Sequence, residues 1–310
     1  MIDSPSPSAR KPEVRFGQRL SRGGHLRRST LSSGPAVVWL GLLLVVPLLI
    51  VIGISFLTRG EYGGVELPLT FESYKRLAGF GELGFDPLYP VILLRSLELG
   101  GATAALCLVT ALPLAFFIAR LPGMLKNVAL TLVVIPFWTN LLIRTYAWQI
   151  MLSPESWLTH VAHAVGIGVA GEPLYPGTLA VLIGMVCDFL PFMVLPLYAS
   201  VEKIDWSLAE AASDLGANRV QMFRYALLPQ IMPGLIAGVI LVFLPATGQF
   251  VIPDLLGGAK TAMLGNVIQQ QFASSRDWPF GSAISFVALL LVMAGLWVYL
   301  RRGAKEDSVL

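Results

Sequence analysis

The 310-residue sequence predicts an all-α integral membrane protein with six transmembrane helices, and three observations carry that expectation. Hydrophobic residues make up 55% of the chain and charged residues only 13%, with a mean hydropathy of +0.71. Globular chains are about 25% charged, so a surface of this composition has to face lipid. Six apolar windows reach the length of about 20 residues that a helix needs to cross a bilayer. Lys and Arg are also spread unevenly among the connections, which orients the chain.

The elements follow in order. Residues 1–33 are rich in Ser, Pro and Arg and hold seven basic residues: Arg10, Lys11, Arg15, Arg19, Arg22, Arg27 and Arg28. Such a segment buries little apolar surface and is expected to be a disordered, cytoplasmic basic leader. It is too long and too charged for an ordinary cleaved signal peptide, so the apolar run from Ala36 reads as a retained first helix. Residues 34–302 are the expected membrane domain and 303–310 a cytoplasmic tail. The windows are Ala36–Leu57, Val91–Ala119, Val128–Ile150, Gly177–Ala199, Gln230–Ile252 and Gly281–Leu300. Several contain Pro, which membrane helices tolerate where neighbours satisfy the freed backbone groups.

With the N-terminus inside, the inside segments hold fifteen Lys and Arg and the outside loops five, which favours two cytoplasmic termini. Gly234 and Gly238 form a G-x-x-x-G spacing that marks close helix packing. His160 and His163, in an outside loop, read as surface residues. The same loops carry Trp157 and Trp278 as anchors.

Several classes of chemistry lack residues. Cys107 and Cys187 both fall in apolar runs, and with three His in the chain neither a disulfide framework nor a metal site is expected. No basic arm interleaved with aromatics suggests nucleic-acid binding. The stretch Gly257-Gly258-Ala259-Lys260-Thr261 lacks the Gly spacing of a phosphate-binding loop, so the chain is not expected to bind or hydrolyse ATP. Neither G-x-S-x-G nor H-E-x-x-H is present.

The inside loop 200–229 is longer than a turn and has helical spacing. Ala209, Ala211, Ala212 and Leu215 suggest one weakly apolar helix. Gly216 interrupts it, and Val220, Met222, Phe223 and Leu227 suggest a second helix up to Pro229. Within this loop Glu210-Ala211-Ala212, Gly216 and Leu228-Pro229 stand in the register of the EAA loop. The chain therefore resembles the membrane subunits of ABC importers, with Ala226 where the family has Ile. Small Ala residues let a helix sit deep in a partner's groove, Gly216 permits a sharp turn, and Glu210 can pair with a basic group. Read without the resemblance, the loop is an amphipathic helix joining two spans.

The runs Leu190–Tyr198, Glu202–Asp205, Phe250–Gly258 and Arg276–Gly281 are similar to the spermidine/putrescine importer permeases, and the layout from about Pro35 to Arg302 is similar to the first of that family's two permeases. The resemblance implies a type I ABC importer (MetI-like) permease fold in the bacterial inner membrane. It also implies a non-catalytic subunit with no cofactor of its own. Its implied partners are a second permease, two copies of a cytoplasmic ABC ATPase that carries ATP and Mg, and a periplasmic or lipid-anchored solute-binding protein. The implied substrate class is polyamines. Another small organic amine, or an opine-like or amino-acid-derived solute, stays open. So does an ion-coupled secondary transporter, although no inverted repeat with matching broken helices supports it.

Ionisable residues within spans are rare and functional. Asp188 lies at the middle of its window, beside Phe189 and Phe192. It reads either as a pathway carboxylate for a protonated amine or as a member of an interhelical ion pair. Arg95, Glu98 and Arg144 fall near the outer ends of helices two and three and are expected to form one polar network. Trp138, Thr139 and Asn140 break helix three, and Thr247, Gly248 and Gln249 break helix five. Irregular polar backbone at membrane depth lines cavities, so Trp138, Asn140, Thr247 and Gln249 join Asp188 and Phe192 as pathway candidates.

Overall fold

The computed structural model describes residues 22–61, 63–81, 84–166, 173–258 and 261–306. The first twenty-one residues of the leader, the last four of the tail, and Ala259 and Lys260 of the Gly257–Thr261 stretch lie outside the described residues. The chain divides between Val51 and Ile52 into two units. The first contains most of α1 (Arg22–Ser55), whose stretch Val37–Ser55 is apolar and long enough to span a membrane. Residues 22–33 are helical, which corrects the expectation of disorder for that part of the leader. Extending an existing helix adds one hydrogen bond per residue fixed and needs no new nucleus.

In the second unit, residues 56–87 carry two small antiparallel ladders, β1 (Thr58–Arg59) with β2 (Val65–Glu66) and β3 (Phe80–Gly81) with β4 (Gly84–Phe85), on either side of α2 (Glu72–Leu77). The long helix α3 (Leu88–Arg120) follows. Next come α4 (Gly123–Val134), a 3-10 turn (Ile135–Trp138) and α5 (Leu141–Met151), then α6 (Trp157–Ala164) and α7 (Thr178–Val201). The motif loop holds α8 (Trp206–Asp214) and α9 (Arg219–Met222). A π turn (Phe223–Leu227) runs on into α10 (Leu228–Thr247), followed by α11 (Val251–Gly257), α12 (Leu264–Ala273) and α13 (Trp278–Glu306). α13 makes residues 303–306 of the tail helical.

The core is built by α3, α7 and α10. Cys107, Ala111, Ala115 and Ile118 of α3 are buried together with Met185, Met193, Val194 and Leu197 of α7 and Ile231, Val242 and Ala246 of α10. Small residues set the separations. A Cβ on Gly238 would lie 2.7 Å from the Met193 sulfur, and one on Gly234 would overlap Ser200 Oγ and the Pro196 carbonyl. The G-x-x-x-G spacing thus packs α10 directly on α7, as its sequence suggested.

Five helices in the described residues are long and apolar enough to span a membrane, and the bent pair Gly123–Trp138 and Leu141–Met151 makes a sixth. That pair turns through 94° at Thr139-Asn140. The break at 138–140 is where the sequence placed it, but helix three is two segments at right angles, not one interrupted rod. Asn140 caps the second segment by accepting a hydrogen bond from the Leu142 N–H at 2.8 Å, which offers the backbone an alternative to continuing the helix.

The expected stop at Pro229 does not occur: Arg219–Thr247 is one continuous helical run. Proline in a helix interior removes a hydrogen bond and clashes with a carbonyl one turn back. Here the widened π turn immediately precedes Pro229, which falls in the first turn of α10, so the ring is accommodated.

Candidate functional site

Two regions collect the candidate residues. The first is the loop 200–229. Asp205 accepts hydrogen bonds from Ser207 and caps α8, with Ser207 N to Asp205 Oδ1 at 3.0 Å. The Ser207 hydroxyl and N–H hold the Asp205 carboxyl below its ordinary range. Gly216 then turns the chain at φ +83°, a left-handed conformation that glycine reaches freely. Asn218 and Gln221 cap α9 reciprocally, with both hydrogen bonds at 2.9 Å. Gln230, at the start of α10, accepts from the Asp205 N–H at 2.8 Å and donates to the Ala226 carbonyl at 2.8 Å. The helix–glycine–helix shape expected for this loop is present.

Within it Glu210, Ala211, Gly216 and Pro229 are exposed, while Ala212 and Leu228 are half-buried. Of the apolar positions that marked the two loop helices, Leu215 is 89% exposed and Val220 73%. Ala209 and Leu227 are the buried anchors instead. With Leu208 and Tyr225 also exposed, the loop carries four large apolar side chains on its surface, and exposed apolar side chains that gather on one segment mark interaction sites.

Behind α8, the Lys126 ammonium donates to Glu202 at 3.0 Å. Together with Arg120 and Trp206 they line a cavity of about 460 Å³. Hydrogen bonds from the Tyr198 hydroxyl and from Lys126 hold the Glu202 carboxyl below its ordinary value.

The second region is the middle of α7. Asp188 forms an ion pair with Arg144 of α5, and Arg144 Nη1 donates to the Pro136 carbonyl at 2.6 Å. Both side chains are largely withdrawn from solvent, Asp188 at 9% exposure and Arg144 at 13%. This favours the interhelical reading of Asp188 and corrects the expected network, because Arg144 does not join Arg95 and Glu98. Those two lie exposed on α3. The 94° turn carries Arg144 toward α7. On the same stretch of α7, Phe192 packs edge-on against Phe137 at 5.0 Å and lies 6.3 Å from Phe189.

The remaining pathway candidates are not brought to this point as one set. Trp138 is 79% exposed, and Asn140 is committed to its cap. Thr247 is buried and donates to the Phe243 carbonyl at 2.8 Å, close against Gly100 of α3. Gln249 accepts from the Phe250 N–H at 3.0 Å. Of the outside-loop histidines, His160 is exposed, but His163 is half-buried, with no hydrogen-bond partner for its Nε2 among the described residues, which corrects its reading as a surface residue. Among the described residues no three His, Cys, Asp or Glu side chains converge as metal ligands.

Farther along the chain, Asp277 is 4% exposed and draws in two arginines, Arg76 at 3.1 Å and Arg59 at 4.0 Å. The Arg76 guanidinium also lies 4.2 Å over the Phe280 ring. This clamp joins the segment after α1 to the start of α13. No local pattern signals it, since its partners are about two hundred residues apart.

Comparison with known proteins agrees with this architecture. Residues 111–301 match the family model described as binding-protein-dependent transport system inner membrane component. The chain is 44% identical over 265 residues to the spermidine/putrescine transport system permease protein PotB of Escherichia coli (strain K12), covering 86% of this chain and 94% of that protein. It is 43% identical over 263 residues to the protein of the same name in Haemophilus influenzae, covering 85% and 90%. Among solved structures, a chain of a bacterial alginate ABC transporter in complex with alginate pentasaccharide-bound periplasmic protein superposes with a TM-score of 0.63. That match has 18% identity and covers 88% of this chain and 94% of that one, which is a likeness of fold. A match across most of the chain, with relatives well above 30% identity, establishes that the chain belongs to the binding-protein-dependent transport system inner membrane component family.

Proposed function

We propose that this chain is one of two permease subunits of an ATP-driven importer that carries spermidine/putrescine-type polyamines across the bacterial inner membrane. The observation that carries the substrate class is the near-full-length likeness to spermidine/putrescine permeases. The loop 200–229 supports the coupling role. Its exposed Glu210 and exposed apolar side chains suit a groove on a soluble partner, and its caps and the Gln230 link hold it in one shape.

In this reading two copies of a cytoplasmic ATPase bind the loops of the two permeases and supply ATP and Mg chemistry that this chain does not perform. A periplasmic or lipid-anchored binding protein delivers the solute on the far side. Glu210, Ala211, Ala212, Gly216, Leu228 and Pro229 make the coupling contact, and both termini lie in the cytoplasm. ATP binding closes the ATPase dimer, the loop moves with it, and the two permeases exchange inward for outward access.

The test is uptake of labelled spermidine, putrescine and a panel of amino acids by the four-component system in proteoliposomes. Polyamine uptake that depends on ATP and on the binding protein is expected. Uptake of amino acids but no polyamine would refute the substrate class, and uptake without the ATPase would refute the importer class.

A further inference from the structure

A buried ion pair contributes little to net stability, because removing two charges from water consumes most of the attraction between them. The Arg144–Asp188 pair therefore calls for a role other than holding the fold together. Its geometry supplies one. Arg144 lies just beyond the 94° break, reaches back to the Pro136 carbonyl before it, and reaches across to Asp188 at the centre of α7. One guanidinium thus closes the bend and ties the second half of the broken helix to a core span. Phe189 and Phe192 lie one and four residues beyond Asp188 on α7, with Phe137 edge-on against Phe192, and aromatic residues near a carboxylate suit an organic cation. The site is filled by the chain's own cation.

We propose that Arg144 is a tethered occupant of an ammonium site centred on Asp188, and that a primary ammonium group of the cargo displaces it during transport and releases α5 from α7. The identity of the cargo as a polyamine rests on the function proposed above; the site itself is defined by a primary alkylammonium group. The exchange is electrostatically feasible because the carboxylate trades one cation for another and is never left bare, which in a low-dielectric interior would be the costly state. Arg144 keeps its bond to the Pro136 carbonyl as it leaves, so the guanidinium is not stranded either. Arg144 then sets a threshold: only a solute with a cationic head that competes with a guanidinium opens the path.

The test uses the assembled complex in nanodiscs, with this chain, the second permease and the ATPase. Retention of labelled spermidine and of n-butylammonium is measured without the binding protein, alongside cargo-free ATP hydrolysis. Arg144→Gln vacates the site, so retention of both probes is expected to rise at least tenfold and cargo-free hydrolysis severalfold. Adding Asp188→Asn should abolish the extra retention. Arg144→Lys keeps the charge but gathers its donors on one nitrogen in place of a planar fork, so it should fall between wild type and Arg144→Gln; if Arg144→Gln does not assemble, this variant decides. Unchanged retention and hydrolysis in a variant that assembles overturns the proposal. So does an assembled Arg144→Lys complex that retains neither probe above wild type when Arg144→Gln fails to assemble, which would make the pair a structural staple. The polyamine reading fails separately, if the wild-type complex with its binding protein takes up no spermidine while n-butylammonium retention still responds to Arg144→Gln.

Discussion

The Gln230 side chain, on the first turn of α10, accepts the backbone N–H of Asp205, the cap of α8, at 2.8 Å. This bond joins the start of the exposed motif helix to the start of a core span, twenty-five residues later in the chain. A displacement of α8 is therefore passed to α10 directly and not only around the Gly216 turn.

Gln230→Leu removes the acceptor and leaves the Asp205 N–H to water. A hydrogen bond of this kind contributes about 0.5–1.5 kcal/mol, so a loss of roughly threefold to tenfold in transport-coupled ATP hydrolysis is expected, with assembly intact. Hydrolysis stimulated by the loaded binding protein in proteoliposomes measures it. Normal stimulation would mean that the bond transmits nothing.

Gly216→Val places a β-branched residue at φ +83°. The left-handed conformation alone costs about 1–2 kcal/mol for a residue with a Cβ. Co-purification of the ATPase with the permease pair should drop, and Gly216→Asn, which tolerates this conformation, should recover most of it. Solute binding by the separate binding protein serves as the unaffected control.

The two glycines of the packed α10–α7 face should differ. A Cβ at Gly238 meets the flexible Met193 thioether, whereas one at Gly234 runs into the Pro196 backbone carbonyl. Gly234→Ala should therefore lower the melting temperature of the complex more than Gly238→Ala does, within the range of about 1–3 kcal/mol typical of overpacking. Equal effects would mean that α10 shifts away from α7 as a whole.

The Lys126–Glu202 contact should depend on pH in one direction. The folded Glu202 carboxyl is held below its ordinary value, so its contribution is complete above the ordinary glutamate range and is lost as pH falls through the lower folded value. The melting-temperature difference between wild type and Glu202→Gln should stay constant from neutral pH to the ordinary glutamate range and shrink only below it. A difference that shrinks between pH 7 and 6 would contradict the depressed value.

Topology is checked by single cysteines on a background with Cys107 and Cys187 replaced. Lys203→Cys and His160→Cys should react with a membrane-impermeant reagent from opposite sides, Lys203 from the cytoplasmic side. Labelling of both from one side would remove the single crossing expected between them.

What could be read in the sequence was local. The Gly216 turn and the Asn140 break are each decided within a few residues, and they were legible from residue type and spacing; the Asp205 and Asn218 caps are equally local but went unread. The partner of Arg144 was not. Asp188 lies forty-four residues away, and the two meet only because α5 leaves α4 at a right angle, an angle that hydropathy does not encode. A straight third helix placed Arg144 near Arg95 and Glu98. Pro229 misled for a different reason. Proline signals a stop, but the π turn that absorbs it shows in backbone geometry alone. Leu215 and Val220 marked two helices but not where their apolar sides point, because apolar periodicity cannot tell a protein core from a partner's groove.

The unbroken run from Arg219 to Thr247 has a mechanical consequence. Its 29 residues make a lever about 43 Å long, with one arm in the exposed loop and the other ending at Thr247 against Gly100. Because the run is continuous, a tilt of about 10° applied near Arg219 and carried along it swings the far end by on the order of 7 Å, given the helical rise per residue. A small rearrangement at the loop thus arrives amplified at the opposite end of the core, without any side chain having to relay it.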